Sequence, residues 1–266
     1  MIRTSRLVVF VSLAALCLFA SVTAHGARIG LLFDKVGKTG RGLAAIGIAY
    51  DDLEHDVSSL SDYNVVILGH NGAERDIPHG DATEFAAPLR DYIAGGGFIL
   101  QTFHWDEQPT MWDWMPIPIE GVDNNVEGPT IAVEPNHPIF NVPNDVPKQY
   151  ARDAWGPFDP GWGSFDAAFV DPVLVGQDYR VLLVKESQPE LVYITEANHG
   201  LGTYMLAQGF MDVATATPRN NTDTQKEEAG KLFENMVAYG VAFSENTDAV
   251  DAAGKITILW GQLKSD

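Results

Sequence analysis

The sequence predicts an α/β domain of three layers: a doubly wound, mostly parallel sheet with an antiparallel extension and a long aromatic loop. Three observations predict it. From residue 28 to 103, short apolar runs alternate with amphipathic stretches across brief joints, the pattern of strands that cross over through helices. Between 179 and 209, three more apolar runs are separated by short polar turns, the pattern of antiparallel strands. Between these regions, residues 105–165 are rich in Pro, Trp, Asp and Gly, as expected of a long excursion or small cap rather than a second core.

Each element has a local reason. Arg28 to Asp34 is a short apolar run ending in an acid, expected as the first buried strand. A glycine-rich loop, Lys35 to Gly42, leads into Leu43–Val57, where Leu43, Ile46, Tyr50 and Leu53 follow helical spacing. Leu60 to Tyr63 turns into a second strand over Asn64–Gly69. Residues 81–94 are expected as a helix with Asp81 as N-cap, Glu84 as its box partner, and Phe85, Leu89, Tyr92 and Ile93 on its apolar face. Gly95, Gly96 and Gly97 end it, since helix ends favour a residue free to take left-handed φ. Phe98 to Phe103 is the third strand, and Thr130 to Val133 a strand-like piece inside the excursion. Tyr179–Lys185, Leu191–Glu196 and Thr203–Gly209 follow as strands. Thr224–Tyr239 is an amphipathic helix with Ala229, Leu232, Phe233, Met236 and Val237 on one face. The tail, residues 244–266, is expected as a polar linker and then an edge strand or detached sorting-type end.

Charge and composition narrow the functional classes. The 266 residues are 45% hydrophobic and 20% charged, enough for a sizeable core. With 17 Lys+Arg against 36 Asp+Glu, the formal net charge is -19. No nucleic-acid partner is expected, because phosphate contacts need a positive face, and an anionic lipid surface is disfavoured for the same reason. Residues 1–24 have the form of a secretory signal peptide: Arg3 and Arg6, an apolar stretch from Leu7 to Phe19, and small residues at Val22 and Ala24 before the cut. Cleavage there leaves 15 Lys+Arg against 36 Asp+Glu and, since Cys17 is the one cysteine, no thiol. The expected organisation is therefore a leader (1–24), an α/β domain (25–243) and a tail (244–266), exported to a bacterial periplasm or exterior. No membrane contact is expected after cleavage. Cleavage would also expose His25 as an N-terminal histidine, which can bind copper through its amine and ring, or simply be solvated.

The order of the pieces resembles the class I glutamine-amidotransferase-like superfamily, closest to its ThuA-like (trehalose utilisation) branch. Leu60-Ser61-Asp62-Tyr63-Asn64-Val65-Val66-Ile67-Leu68 is similar to that family's strand-entry segment, and Leu89 to Leu100 to its helix, glycine stop and central strand. His104 stands where ThuA-like chains place a histidine. His137-Pro138-Ile139 with Asn141-Val142-Pro143 resembles the family's His-Pro-Ile segment and following turn, and Gly200-Leu201-Gly202-Thr203-Tyr204-Met205-Leu206 its late Gly-x-Gly strand. The likeness spans about residues 28–240 and implies a flavodoxin- or amidotransferase-like fold and a link to carbohydrate metabolism. The chain departs from the family where Gly209 is followed by Phe210-Met211-Asp212 rather than histidine.

Amidotransferases of this class use a cysteine after the central strand. Here that turn is Gln101-Thr102-Phe103-His104-Trp105-Asp106, so glutamine hydrolysis by a thiolate is excluded. Thr102 as nucleophile would need a dedicated base. In an open parallel sheet ligands settle at the carboxyl ends of strands, which gathers Asp34, His70, Asn71, His104, Asp106 and Glu107 as candidates. His104 assisted by His70 or Asp106 is the candidate acid–base set, because imidazole titrates near neutrality. Two histidines and a carboxylate also suit a divalent ion, although no short-spaced ligand motif is present and the metal and cofactor stay unassigned. Trp105, Trp112, Trp114, Trp155 and Trp162, interleaved with acids such as Asp106, Asp113, Asp153 and Asp159, suit the C–H faces and hydroxyls of a sugar, or else pack within their own loop. Two such carboxylates could also form a glycosidase pair, though spacing selects none. Val36-Gly37-Lys38-Thr39 is no phosphate loop, since the glycine needed at the start of that motif is Leu32, inside the strand. The expected function is a carbohydrate-related or other small-molecule binding module; the alternatives are a sugar-metabolising acid–base enzyme and a non-catalytic scaffold. Mass spectrometry of the secreted protein is expected to find His25 at its N-terminus; an intact residue 1–24 segment would refute export by cleavage.

Overall fold

The computed structural model describes residues 27–34, 37–69, 83–103, 114–117, 130–150, 179–208 and 223–244. Nine strands form one sheet: β1 (Ile29–Leu32), β2 (Asp51–Glu54), β3 (Val65–Leu68), β4 (Phe98–Phe103), β5 (Thr130–Ala132), β6 (Gln149–Tyr150), β7 (Arg180–Lys185), β8 (Gln188–His199) and β9 (Gly202–Gln208). Among the described residues three α-helices accompany them: α1 (Lys38–Ala45), α2 (Thr83–Ala94) and α3 (Asp223–Ser244). The strand order is β2-β1-β3-β4-β9-β8-β7-β5-β6. Pairing is parallel from β2 through β9 and antiparallel from β9 to β6. This is the α/β sheet with an antiparallel extension that the sequence predicts.

Alternation along the strands builds the layers. Ile29 and Leu31 of β1, Val65 and Ile67 of β3, and Phe98 and Leu100 of β4 face one core with Leu43 of α1 and Leu232, Phe233, Met236 and Val237 of α3. Leu32, Val66, Leu68 and Ile99 face the other, with Ala86, Leu89, Tyr92 and Ile93 of α2. A period of two in each strand thus separates two cores, one on either side of the sheet. The central strands are buried on both faces, which is why they read as unbroken apolar runs.

Several boundaries differ from expectation. The helix expected over Leu43–Val57 is two elements. Gly47 takes φ 75°, closing α1 after Ile46, and Asp51–Glu54 then pairs in parallel with β1. Leu43 and Ile46 belong to the helix and its cap while Tyr50 and Leu53 belong to the strand and its approach, so the apparent helical spacing joins two unrelated faces. The acids of this edge strand are exposed and discourage pairing with another chain. Within the excursion, β5 and β6 belong to the main sheet rather than to a separate cap. The segment after β5 lies against α3, where Asn235, fully buried, donates to Ile139 O (2.9 Å) and Asn144 O (2.8 Å) and accepts from Asn144 N (2.9 Å). The helix α3 runs five residues beyond the expected end, through Ser244. The expected leader (1–24), the expected cap Asp81 and the tail beyond 244 lie outside the described residues.

The Gly-x-Gly sequence before β9 has a steric cause. Gly200 turns the β8–β9 hairpin at φ 61° against the backbone of Ala94. Leu201 N then donates to Ala94 O (3.0 Å) and Thr203 N to Gly97 O (3.2 Å), so the hairpin satisfies carbonyls at the end of α2. A Cβ at Gly202 would overlap the carbonyl oxygens of Ile93 and Gly97. Gly202→Ala is expected to destabilise the fold by about 2 kcal/mol through this overlap. Urea denaturation checks it, and an unchanged midpoint would show that the hairpin can move away freely.

Candidate functional site

The carboxyl edge of the parallel strands is where the expected site falls. Of its residues, Asp34 is described. Phe33 takes a left-handed φ of 58°, uncommon for a bulky side chain, and buries its ring edge-on to Phe85 at 5.3 Å. Asp34 follows and turns to α1. Its Oδ2 accepts from Gly40 N at 2.8 Å and its Oδ1 from Thr39 N at 3.2 Å. The acid therefore satisfies helix donors that an external anion would otherwise meet. Tyr50 packs over Gly40, and its phenol is held above the ordinary range by burial first, then by Asp52 and Asp34.

On β4, Thr102 and Gln101 point to opposite faces. Thr102 Oγ1 donates to Leu68 O at 3.2 Å and lies 3.4 Å from Thr39 Oγ1. Its proton is thus committed to a backbone carbonyl, and no base among the described residues addresses it. Gln101 is fully buried on the α2 side, where its Oε1 accepts from Trp114 Nε1 at 3.0 Å. Trp114 itself is buried, edge-on to Tyr204 at 5.8 Å. Arg90 of α2 holds the same segment, its Nε donating to Trp114 O at 2.8 Å and its Nη2 to Met115 O at 3.2 Å. Tyr179 adds a bond to Ile117 O at 2.8 Å. One tryptophan of the aromatic cluster is therefore core packing. The remaining candidates, His70, Asn71, His104, Trp105, Asp106, Glu107, Trp112, Trp155 and Trp162, lie outside the described residues. Among the described residues no group of three His, Cys, Asp or Glu could hold a metal ion.

A second polar cluster sits away from that edge. His137, which begins the His-Pro-Ile segment, is buried, and its Nδ1 accepts from Ile139 N at 3.4 Å, capping the turn Pro138–Phe140. That acceptance leaves the hydrogen of the neutral ring on Nε2, 3.3 Å from Glu196 Oε1 but not aligned as a hydrogen bond. The ring meets Tyr239 edge-on at 4.9 Å. Arg180 joins Glu196 to Glu134, its Nη1 donating to Glu196 Oε1 at 3.1 Å and its Nε to both Glu134 oxygens at 2.9 Å. Burial, then Glu196, pushes the Tyr239 phenol up. Hydrogen bonding to Arg180 holds Glu134 below the ordinary glutamate range, against a smaller effect of burial. Spacing in the sequence gives no sign of this cluster, because its members come from separate elements.

No protein-family model matches the chain, and no curated protein matches it. Solved structures do. The chain is similar to the mmIFT52 N-terminal domain, at 13% identity and a TM-score of 0.50, covering 81% of this chain and 97% of that one. That likeness concerns the α/β fold alone. Two further neighbours are Cytoplasmic Protein STM3548 from Salmonella typhimurium, at 13% identity and a TM-score of 0.49, covering 80% and 98%, and a proposed GMP synthase component from Thermoplasma acidophilum, at 10% identity and 0.47, covering 91% and 100%. Among the described residues no helix is long and apolar enough to cross a membrane.

Acid titration tests the second cluster. Glu134 has a lower pKa folded than unfolded, so its stabilising contribution is complete at neutral pH and is lost as pH falls through the folded value. The Glu134 and Arg180 side chains are 38% and 49% exposed, so screening limits the contribution to about 1 kcal/mol or less. Glu134→Gln is expected to lower the melting temperature at neutral pH and to bring the two melting curves together in acid. Parallel pH profiles for the two proteins would refute it.

Proposed function

We propose that the chain is an exported, amidotransferase-like ligand-binding module of the ThuA-like kind, which holds a carbohydrate-class ligand at the carboxyl edge of its parallel strands without covalent catalysis. One observation carries the reading. Phe103 ends β4 at that edge, and Trp114 returns to it through the bond from its indole to Gln101. The sequence between these two residues carries His104, Trp105, Asp106, Glu107 and Trp112. Rings and carboxylates in one such stretch suit a sugar's apolar faces and hydroxyls.

Two further facts support binding without a covalent step. No cysteine follows Cys17 in the sequence, and the hydroxyl of Thr102 is engaged by Leu68 O. The competing reading, proton transfer by His104 with Asp106 or His70, differs in outcome. The module reading expects glucose, galactose, mannose or trehalose to raise the melting temperature of the purified protein, since a ligand that binds only the folded state stabilises it by mass action, and expects the saccharide to be recovered unchanged. Conversion of the saccharide, abolished in His104→Ala, would favour the enzyme. A flat thermal response to the whole panel would leave the scaffold.

A further inference from the structure

One fully buried polar side chain at this edge keeps an unmet donor. Trp114 Nε1 can only donate, so the Gln101 atom 3.0 Å from it is the carbonyl oxygen, and the amide orientation is set by chemistry rather than choice. The NH2 group is then the other end. Gln101 Nε2 is buried and has no hydrogen-bond partner among the described residues. Leaving such a donor unpaired in the interior is unfavourable, and native interiors leave few. The indole accounts for the amide's oxygen but not for its NH2 group. The flanking residues of the same cross-strand row, Leu68 on β3 and Leu206 on β9, offer no side-chain acceptor. That row is also the last of β1 and β3, since Leu32 pairs with Leu68, so the unpaired amide stands where open sheets receive ligands.

We infer that the Gln101 side-chain amide is a binding residue that donates to a hydroxyl or carbonyl oxygen of a neutral, oxygen-rich ligand. The inference rests on the binding reading above and assigns it a residue. The amide supplies two hydrogens and no charge, so it selects an acceptor oxygen without requiring an anion. The chain's net charge of -19 further disfavours anionic ligands. Trp114, held by Gln101 on one side and Arg90 on the other, fixes which end of the amide carries the unmet hydrogens.

The test uses the purified full chain and the saccharide of the panel above that gives the largest thermal shift. Gln101→Glu keeps an acceptor for the indole and removes the amide donors; Gln101→Met removes both without adding charge. Melting curves of the ligand-free variants establish that each folds. Affinity is expected to fall about tenfold or more in both, the loss of one buried hydrogen bond. In the wild-type protein, the Gln101 side-chain NH2 resonances, assigned through the Gln101 spin system and its proximity to the Trp114 indole N–H, are expected to shift on titration with the saccharide. This wild-type measurement decides the matter should neither variant fold. Unchanged affinity in a folded variant, or an unmoved amide signal at saturating saccharide, would overturn the role of Gln101 and leave the binding module standing. A wild-type protein that no saccharide stabilises would remove the binding reading and this inference with it.

Discussion

The two halves of the sheet depend on a close backbone contact at one corner. Strand β9 pairs in parallel with β4 on one side and antiparallel with β8 on the other, so every pairing beyond it takes its register from that strand. β9 begins at Gly202, where the main chain lies against the carbonyls of Ile93 and Gly97, and the preceding hairpin donates Leu201 N to Ala94 O. Any side chain at Gly202 would separate the hairpin from α2. The same corner contains Gly97, over which the Tyr92 ring lies, and the Tyr92 hydroxyl donates to Asn64 O at 3.0 Å while accepting from Phe98 N at 3.3 Å. Helix α2, the starts of β4 and β9, and the entry to β3 are thus tied together through backbone groups. Backbone contacts of this kind are less tolerant of substitution than side-chain packing, because no rotamer change can relieve them.

With the amino ends of the central strands held in this way, their carboxyl ends are left to arrange polar groups. On the α1 side the polar groups are engaged by the protein: Asp34 caps the helix and Thr102 meets a strand carbonyl. On the α2 side one indole and one amide form a single bond, and the amide hydrogens meet no acceptor among the described residues. The contrast separates a face whose polar residues secure the fold from a face that retains an unmet bond. The His137 cluster is mixed: Arg180 engages Glu134 and Glu196, while His137 Nε2 and Glu196 Oε2 are buried without a hydrogen-bond partner among the described residues. It joins the segment after β5 to β7, β8 and α3 through charged and aromatic groups, in a region where the antiparallel strands alone would leave that segment unattached.

Much of the fold was legible because it depends on short-range pattern. Buried strands read as apolar runs, Gly95-Gly96-Gly97 marks a helix end, and the spacing of Leu232, Phe233, Met236 and Val237 marks a helix against a core. The stretch 43–57 misled for a definite reason: four apolar residues at helical spacing came from a helix and a strand separated by Gly47. At the candidate site, sequence position placed Asp34 after β1, where the structure has it accepting from helix donors, while the turn after β4 lies outside the described residues; Gln101 gave no signal, because its neighbour Trp114 is thirteen residues away in the chain. Nor could it find Glu196, Arg180 and Glu134 around His137, which are ordinary charged residues until pairing brings them together.

The sequence alone determined the layered class of the domain, the strong negative charge and the absence of any thiol after Cys17, since these follow from composition and local periodicity. Only the tertiary structure decided that Asp34 serves a helix, that Trp114 is core, and that the Gln101 amide stands without an acceptor among the described residues at the strand ends. The reason is physical: a side chain's role depends on which polar atoms lie within about 3 Å of it, and that distance is set by strands and helices far apart along the chain.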